Sequence, residues 1–163
     1  MAAIKVRPAE PADAAEIVYL GALMYKSVGA KPTPTWALDS TALVKERLGR
    51  DLYGAVIDAE EGGLAACGLI NIGPRLPRPG RQAHQSGYVQ WVSTAPQYHR
   101  RGYARAIMIA LLEWTDEQGI EVIELHATPA GRELYRELGF FVKADNISMM
   151  ALRADAAGEV PET

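Results

Sequence analysis

The chain predicts a mixed α/β layer fold, and three observations carry that prediction. Hydrophobic periodicity switches repeatedly between about two and about 3.6 residues along the chain. The switches run in the order strand, two helices, three strands, helix, strand, helix, two strands, the alternation of a domain that packs helices on a sheet. No repeat or linker divides the 163 residues, a length that suits one domain. The expected organisation is a single domain over residues 1–153, with a flexible tail at 154–163.

Ile4 to Arg7 alternates like a short strand. Asp13 then stands where a helix cap belongs, ahead of an apolar-periodic run to about Met24. Residues Gly29 to Trp36 hold glycine and two prolines and read as loop. A second helix is expected from about Leu38, capped near Asp39 or Ser40, until Gly49 stops it after Leu48. Leu52 to Ala59 and Leu64 to Ile72 are strand-like runs joined by Glu60-Glu-Gly-Gly63, a hairpin signal. Gly73 to Gly87 contains three prolines and three arginines and is expected to be a long loop.

Tyr88 to Thr94 is rich in β-branched and aromatic residues and predicts a strand. From Gly102 to Gln118, Ala104, Ile107, Met108, Leu111 and Thr115 recur at spacings of three and four, one face of a helix that Gly119 ends. Glu121 to Ala127 predicts the next strand, and Pro129 to Leu138 a short helix closed by Gly139. Phe140 to Ala144 and Ile147 to Leu152 are expected to pair through Asp145-Asn146.

Composition narrows the function classes. Apolar residues make up 48% of the chain and charged ones 23%, enough for a core without metal or disulfide staples. The single cysteine, Cys67, cannot form an internal disulfide or a structural zinc set, so no metal is expected and a reducing compartment fits. Its apolar neighbours make it a buried filler. No basic leader precedes an apolar stretch, and no run approaches the roughly 18 apolar residues of a membrane span. A cytoplasmic protein without a membrane partner is the expectation. A net charge of −3 argues against a broad nucleic-acid surface.

The basic residues concentrate at one turn, Val92-Ser-Thr-Ala-Pro-Gln-Tyr-His-Arg-Arg-Gly-Tyr-Ala-Arg105. A strand ends there and a helix begins near Gly102. A helix N-terminus offers unpaired N–H groups and partial positive charge, and Gly102 would let a phosphate approach the backbone. Arg100, Arg101 and Arg105 sit at the wrong end of an isolated helix, a conflict that an anionic ligand would relieve. On charge alone the arginines fit a solvated turn equally well. Neither a Gly-Lys-Ser/Thr nor a triple-glycine fingerprint is present, which leaves a diphosphate ligand of another kind.

This stretch resembles motif A of the GNAT (GCN5-related N-acetyltransferase) superfamily, Gln/Arg-x-x-Gly-x-Gly/Ala, here His99-Arg-Arg-Gly102-Tyr-Ala104. His99 stands where that family usually has glutamine or arginine. Leu134-Tyr-Arg-Glu-Leu-Gly-Phe140 resembles the family's motif B, in the right order and with a strand between the two. The strand order over residues 4–152 is similar as well. The resemblance implies a mostly antiparallel sheet with a splayed parallel pair, helices on both faces, and acetyl-CoA lying between Tyr88 to Thr94 and Glu121 to Ala127.

It further implies that the Val92 N–H polarises the thioester carbonyl and that the Thr94 backbone pairs with pantetheine. The pyrophosphate would rest on residues 99–105: His99, Arg100, Arg101, Gly102, Tyr103, Ala104 and Arg105. Tyr135, at the motif B tyrosine, would protonate the departing thiolate, although ring packing alone also accounts for that position. The strand before motif A offers Tyr88 and Gln90 but no acid, so the candidate bases are Glu124 and His126, which share a strand face, and His84. A water chain would serve equally.

Met24, Tyr25, Trp36 and Gln90 are candidate acceptor-side residues, and the acceptor is an unidentified primary amine of a small molecule or a protein. A non-catalytic CoA-binding module of the same fold is the alternative. Family members often dimerise, so a homodimer is compatible.

Overall fold

Strand pairing and amphipathic helices assemble as the periodicity predicts, with the bounds of several elements moved. In the computed structural model, residues 3–142 are described. They form β1 (Arg7–Pro8), α1 (Ala14–Ser27), α2 (Pro34–Arg47), β2 (Leu52–Asp58), β3 (Leu64–Arg75), β4 (His84–Thr94), α3 (Tyr103–Glu117), β5 (Val122–Leu125) and α4 (Arg132–Glu137). The sheet order is β1-β2-β3-β4-β5. The first four strands pair antiparallel, and β4 pairs β5 in parallel.

The sheet buries both faces. Ile17, Val18 and Leu20 of α1 and Val44 of α2 pack on Leu52, Val56, Cys67 and Leu69. On the opposite face Ile107, Met108 and Leu111 of α3 cover Ala55, Ala66, Ile70 and Val89. α3 approaches β3 closely, because a Cβ on Gly68 would stand 2.5 Å from Ile107 Cγ2. Stacked rings of Tyr53 and Trp114, centroids 4.0 Å apart, hold the same helix to β2. Fully burying one such Leu or Ile is worth roughly 1.5–3 kcal/mol.

Several expectations shift. The first strand pairs only at Arg7–Pro8 rather than from Ile4, and Arg7 is held there by ion pairs with Asp13 and Asp58. Asp13 occupies the N-cap position of α1 but does not cap it. Its carboxylate instead accepts from Arg7 and from the backbone N of Glu10, across a 3-10 turn at Pro11–Asp13. The second helix starts at Pro34, not near Leu38, so Asp39 and Ser40 lie inside it. Thr33 Oγ1 accepts from Trp36 N at 3.1 Å, and proline suits the first helical position, whose N–H is spare.

The expected loop from Gly73 to Gly87 is strand at both ends, with a shorter connection at 76–83. β3 runs to Arg75 and β4 begins at His84, paired continuously from Asn71↔Tyr88 to Arg75↔His84. Beyond Asn71, β3 has lost β2 as a neighbour, so Pro74 sits at an edge where proline is tolerated. β5 is shorter than expected and stops at Leu125, and the last helix begins at Arg132 rather than Pro129. The expected pairing of 140–144 with 147–152, and the tail, lie essentially outside the described residues. Among the described residues, no helix is long and apolar enough to cross a membrane.

Candidate active site

Two features of β4 part it from β5, the last strand of the described sheet. Its parallel pairing with β5 ends at Val89↔Leu125, while β4 itself continues to Thr94. The same strand carries a bulge, because Leu69↔Gln90 and Cys67↔Ser93 leave Gly68 opposite both Trp91 and Val92. Trp91 has φ +55°, a left-handed backbone that this side chain adopts only under constraint.

The constraint is visible. The Trp91 ring lies against Gly21 of α1, whose Cβ, if present, would be 2.9 Å from Trp91 Cε3. Tyr25 and Trp36 pack edge-on and tilted around it at centroid distances of 6.2 and 5.7 Å. Trp91 Nε1 donates to the Tyr25 hydroxyl at 3.3 Å. Below the bulge the Cys67 thiol donates to Trp91 O at 3.4 Å, and burial pushes that thiol up to about 12, as expected of a filler. Just beyond it, Ser93 Oγ donates to Leu20 O at 2.8 Å. Gln90 and Trp91 therefore point to the α1–α2 side together, whereas Val92 packs toward α3.

The turn after β4 rises into α3. Pro96–Tyr98 forms a 3-10 turn, and Arg100 and Gly102 take φ of +61° and +79°. The first bond of α3 runs from Ala106 N to Gly102 O, which leaves the N–H groups of Tyr103, Ala104 and Arg105 outside the helical ladder. A Cβ at Gly102 would meet nothing nearer than Ile4 Cδ1 at 3.7 Å, so no side chain fills this cradle. Its backbone donors and open space fit a diphosphate.

The flanking side chains are arranged around it rather than in it. His99 Nε2–H donates to Thr94 O at 2.8 Å and clips the turn to the end of β4. The Arg101 guanidinium lies 5.2 Å from the Tyr98 ring centroid, and Tyr98 stacks on Tyr103 at 6.0 Å. Arg105 is ion-paired with Glu137 of α4. Arg100 is exposed.

The other candidates fall into two groups. Tyr135 is half-buried on α4, packs into the α3-side core, and meets Phe140 edge-on at 6.0 Å. Burial raises its phenol above the ordinary value, keeping it protonated. On the α1–α2 side, Tyr88 Oη lies 2.5 Å from His126 Nδ1, and Arg75 Nη2 donates to Glu124 at 2.5 Å. His84 is set apart at the start of β4, its Nδ1 3.1 Å from Gln82 O. Met24 is half-buried on α1. Trp91, at the centre of the ring cluster with Tyr25 and Trp36, was not singled out by sequence reasoning. The one signal for it was Gly68, since an interior strand glycine often marks a bulge on its partner.

Comparison with known proteins agrees with this geometry. A family model described as the acetyltransferase (GNAT) family matches residues 22–140. No curated protein sequence matches the chain significantly. Among solved structures, a predicted acetyltransferase from Clostridium acetobutylicum, determined with acetyl-CoA, is 19% identical with a TM-score of 0.78, covering 91% of this chain and 96% of that one. A GCN5-related N-acetyltransferase from Ralstonia eutropha is 22% identical at a TM-score of 0.75, covering 91% and 99%. Glucosamine-6-phosphate N-acetyltransferase from Arabidopsis thaliana is 18% identical at 0.67, again covering 91% and 99%. The parallel pair that parts after Val89, the open helix start at Gly102 and the match over 22–140 lead to one conclusion: the chain belongs to the acetyltransferase (GNAT) family and is an acetyl-CoA-dependent acyltransferase.

Proposed function

We propose that the chain transfers the acetyl group of acetyl-CoA to a primary amine by direct attack in a ternary complex. The observation that carries this reading is the continuity of one edge: beyond its pairing with β5, β4 leads from the bulge through the Pro96–Tyr98 turn to the open N-terminus of α3. Acetyl-CoA supplies an activated thioester. The backbone N–H groups from Arg100 to Ala104 would hold its pyrophosphate, with Arg100 and Arg101 adding charge. The Thr94 backbone would pair with the pantetheine arm.

At the bulge, the Val92 N–H would serve as a preorganised donor for the thioester oxygen, where negative charge grows during attack. Tyr135, kept protonated by its burial, delivers a proton to the departing sulfur. The amine enters from the α1–α2 side, past Met24, Tyr25, Trp36 and Gln90. The Arabidopsis relative acts on an amino-sugar phosphate by name. Here Arg75 is already paired with Glu124 and Arg81 with Glu121, so those guanidinium groups do not wait for an acceptor phosphate.

A second reading, a CoA-binding module that transfers nothing, draws on that same Arg75–Glu124 pair, which occupies the nearest carboxylate. One experiment separates the two. Acetyl-CoA is titrated calorimetrically into the protein and into Gly102→Glu, and thiol release is then followed across a panel of amines. Transfer predicts micromolar binding that Gly102→Glu abolishes, with thiol released in step with one amine class. Binding without release leaves only the module, and no binding removes both.

A further inference from the structure

The transfer reaction requires the amine to lose a proton, and the contact between β4 and β5 is built for that task. Tyr88 precedes the last parallel pair, Val89↔Leu125, by one residue, and His126 follows it by one. Their side chains meet across the strands where the sheet parts, at 2.5 Å between Oη and Nδ1. Tyr88 is opposite Asn71, on the face that also carries Gln90 and Trp91. That is the face from which an amine would enter. The neighbouring carboxylate, Glu124, is bonded to Arg75, and His84 lies four residues upstream of Tyr88.

Resting on the transfer reading, we propose that Tyr88 and His126 form a proton relay that draws the proton from the acceptor amine as it attacks the thioester. Tyr88 stands four residues before Val92, about 13 Å along an extended strand, a gap that a short chain of waters spans between the amine and the phenol. The steps balance. As the nitrogen lone pair forms the C–N bond, an N–H bond breaks and its proton passes to the water chain. The chain passes a proton to Tyr88 Oη, and the phenolic O–H proton moves to His126 Nδ1. The neutral imidazole becomes imidazolium, while the C–S bonding pair leaves with sulfur and takes the Tyr135 proton.

The surroundings suit these roles. Burial, and secondarily Tyr25 of α1, raise the Tyr88 phenol above its ordinary value. It therefore conducts a proton rather than ionising on its own. His126 is exposed, so the imidazolium discharges to bulk water. The charged and titratable groups around the couple are Tyr25 from α1, Arg75 from β3 and Glu124 from β5. The relay requires one tautomer of the resting ring, in which Nδ1 accepts from the phenol and Nε2 carries the hydrogen.

The test uses Tyr88→Phe and His126→Gln with an amine that the wild-type protein accepts. Either change should lower kcat by roughly a hundredfold at neutral pH, with acetyl-CoA affinity by calorimetry unchanged within about twofold. Wild-type kcat/KM should rise with pH along an acid limb, because imidazolium cannot accept a proton, and His126→Gln should abolish that limb. Imidazole nitrogen NMR should show the Nε2-protonated tautomer, a preference lost in Tyr88→Phe. Wild-type kcat in Tyr88→Phe, an intact acid limb in His126→Gln, or an Nδ1-protonated resting ring would each overturn the relay while leaving the transfer reading standing. A wild-type protein that binds acetyl-CoA yet releases no thiol with any amine removes the transfer reading and the relay together.

Discussion

Glu137, closing α4, holds an ion pair with Arg105 in the first turn of α3. The helix whose open start would hold the phosphate is thereby latched to the helix that carries Tyr135. Both side chains are about half-exposed, at 46% and 48%, so Glu137→Gln should change stability by less than about 1 kcal/mol. Its effect on the cofactor should be larger, because a released Arg105 is free to meet phosphate. Calorimetry should find acetyl-CoA binding severalfold tighter in Glu137→Gln. Weaker binding would mean that the latch itself shapes the cradle.

Gly21 and Trp91 set the bulge. An alanine methyl at residue 21 must displace an indole 2.9 Å away that is pinned by Tyr25 and Trp36. Overpacking of this kind costs roughly 1–3 kcal/mol, against up to about 1 kcal/mol gained in helix propensity. Gly21→Ala should therefore lower the urea midpoint and reduce kcat together. A variant more stable than wild type would show that the indole moves freely.

Tyr135→Phe keeps the ring packing on Phe140 and removes only the hydroxyl. Turnover should fall by about 10² or more, with the acetyl-CoA dissociation constant nearly unchanged. Because burial raises the phenol's value, wild-type activity should show no loss from Tyr135 ionisation until above about pH 10, where an ordinary tyrosine titrates. Wild-type turnover in the variant would exclude the acid role.

Arg7 joins the start of the sheet to the entry of α1 and to β2 through Asp13 and Asp58. Its hydrogen bonds hold both carboxylates below their ordinary values. A depressed folded-state value means stability that is present above the unfolded value, about 4, and lost as pH falls through the folded one. Arg7→Gln should lower stability at neutral pH and flatten its decline below about pH 4. Thermal midpoints of the two proteins, compared from neutral to acid pH, should converge; parallel curves would assign the acid sensitivity elsewhere.

What could be read from the sequence, and what could not, follows from which signals are local. The α3 face of Ile107, Met108, Leu111 and Thr115 is buried as its spacing requires. The turn at Glu60 to Gly63 is where the hairpin signal stands. Thr33-Pro34 was read as loop because proline marks both loops and first helical positions, and only the Thr33 cap distinguishes them. The β3–β4 ribbon was hidden by Pro74 and three arginines, whose tolerance depends on the absence of a β2 neighbour there. The turn at residues 99–105 leading into a helix was legible, but the direction of His99 depends on the path of the turn back to Thr94, and that of Arg105 on Glu137, a distant partner that spacing cannot reveal. The bulge at Trp91 belongs to two strands at once, so reading β4 alone could not find it.

Because the proposed cradle at Arg100 to Ala104 would be drawn in main chain, with the turn's shape held by two left-handed residues, alanine scanning would largely pass over it. Truncating Arg100 or Tyr103 leaves every peptide N–H in place. A saturation library should instead find intolerance concentrated at Gly102, where any side chain strains the backbone, and at proline substitutions of residues 103–105, which delete a donor. A map of mutational tolerance would thus trace the chemistry of this turn through its rare forbidden residue types rather than through the side chains that nature happens to display there.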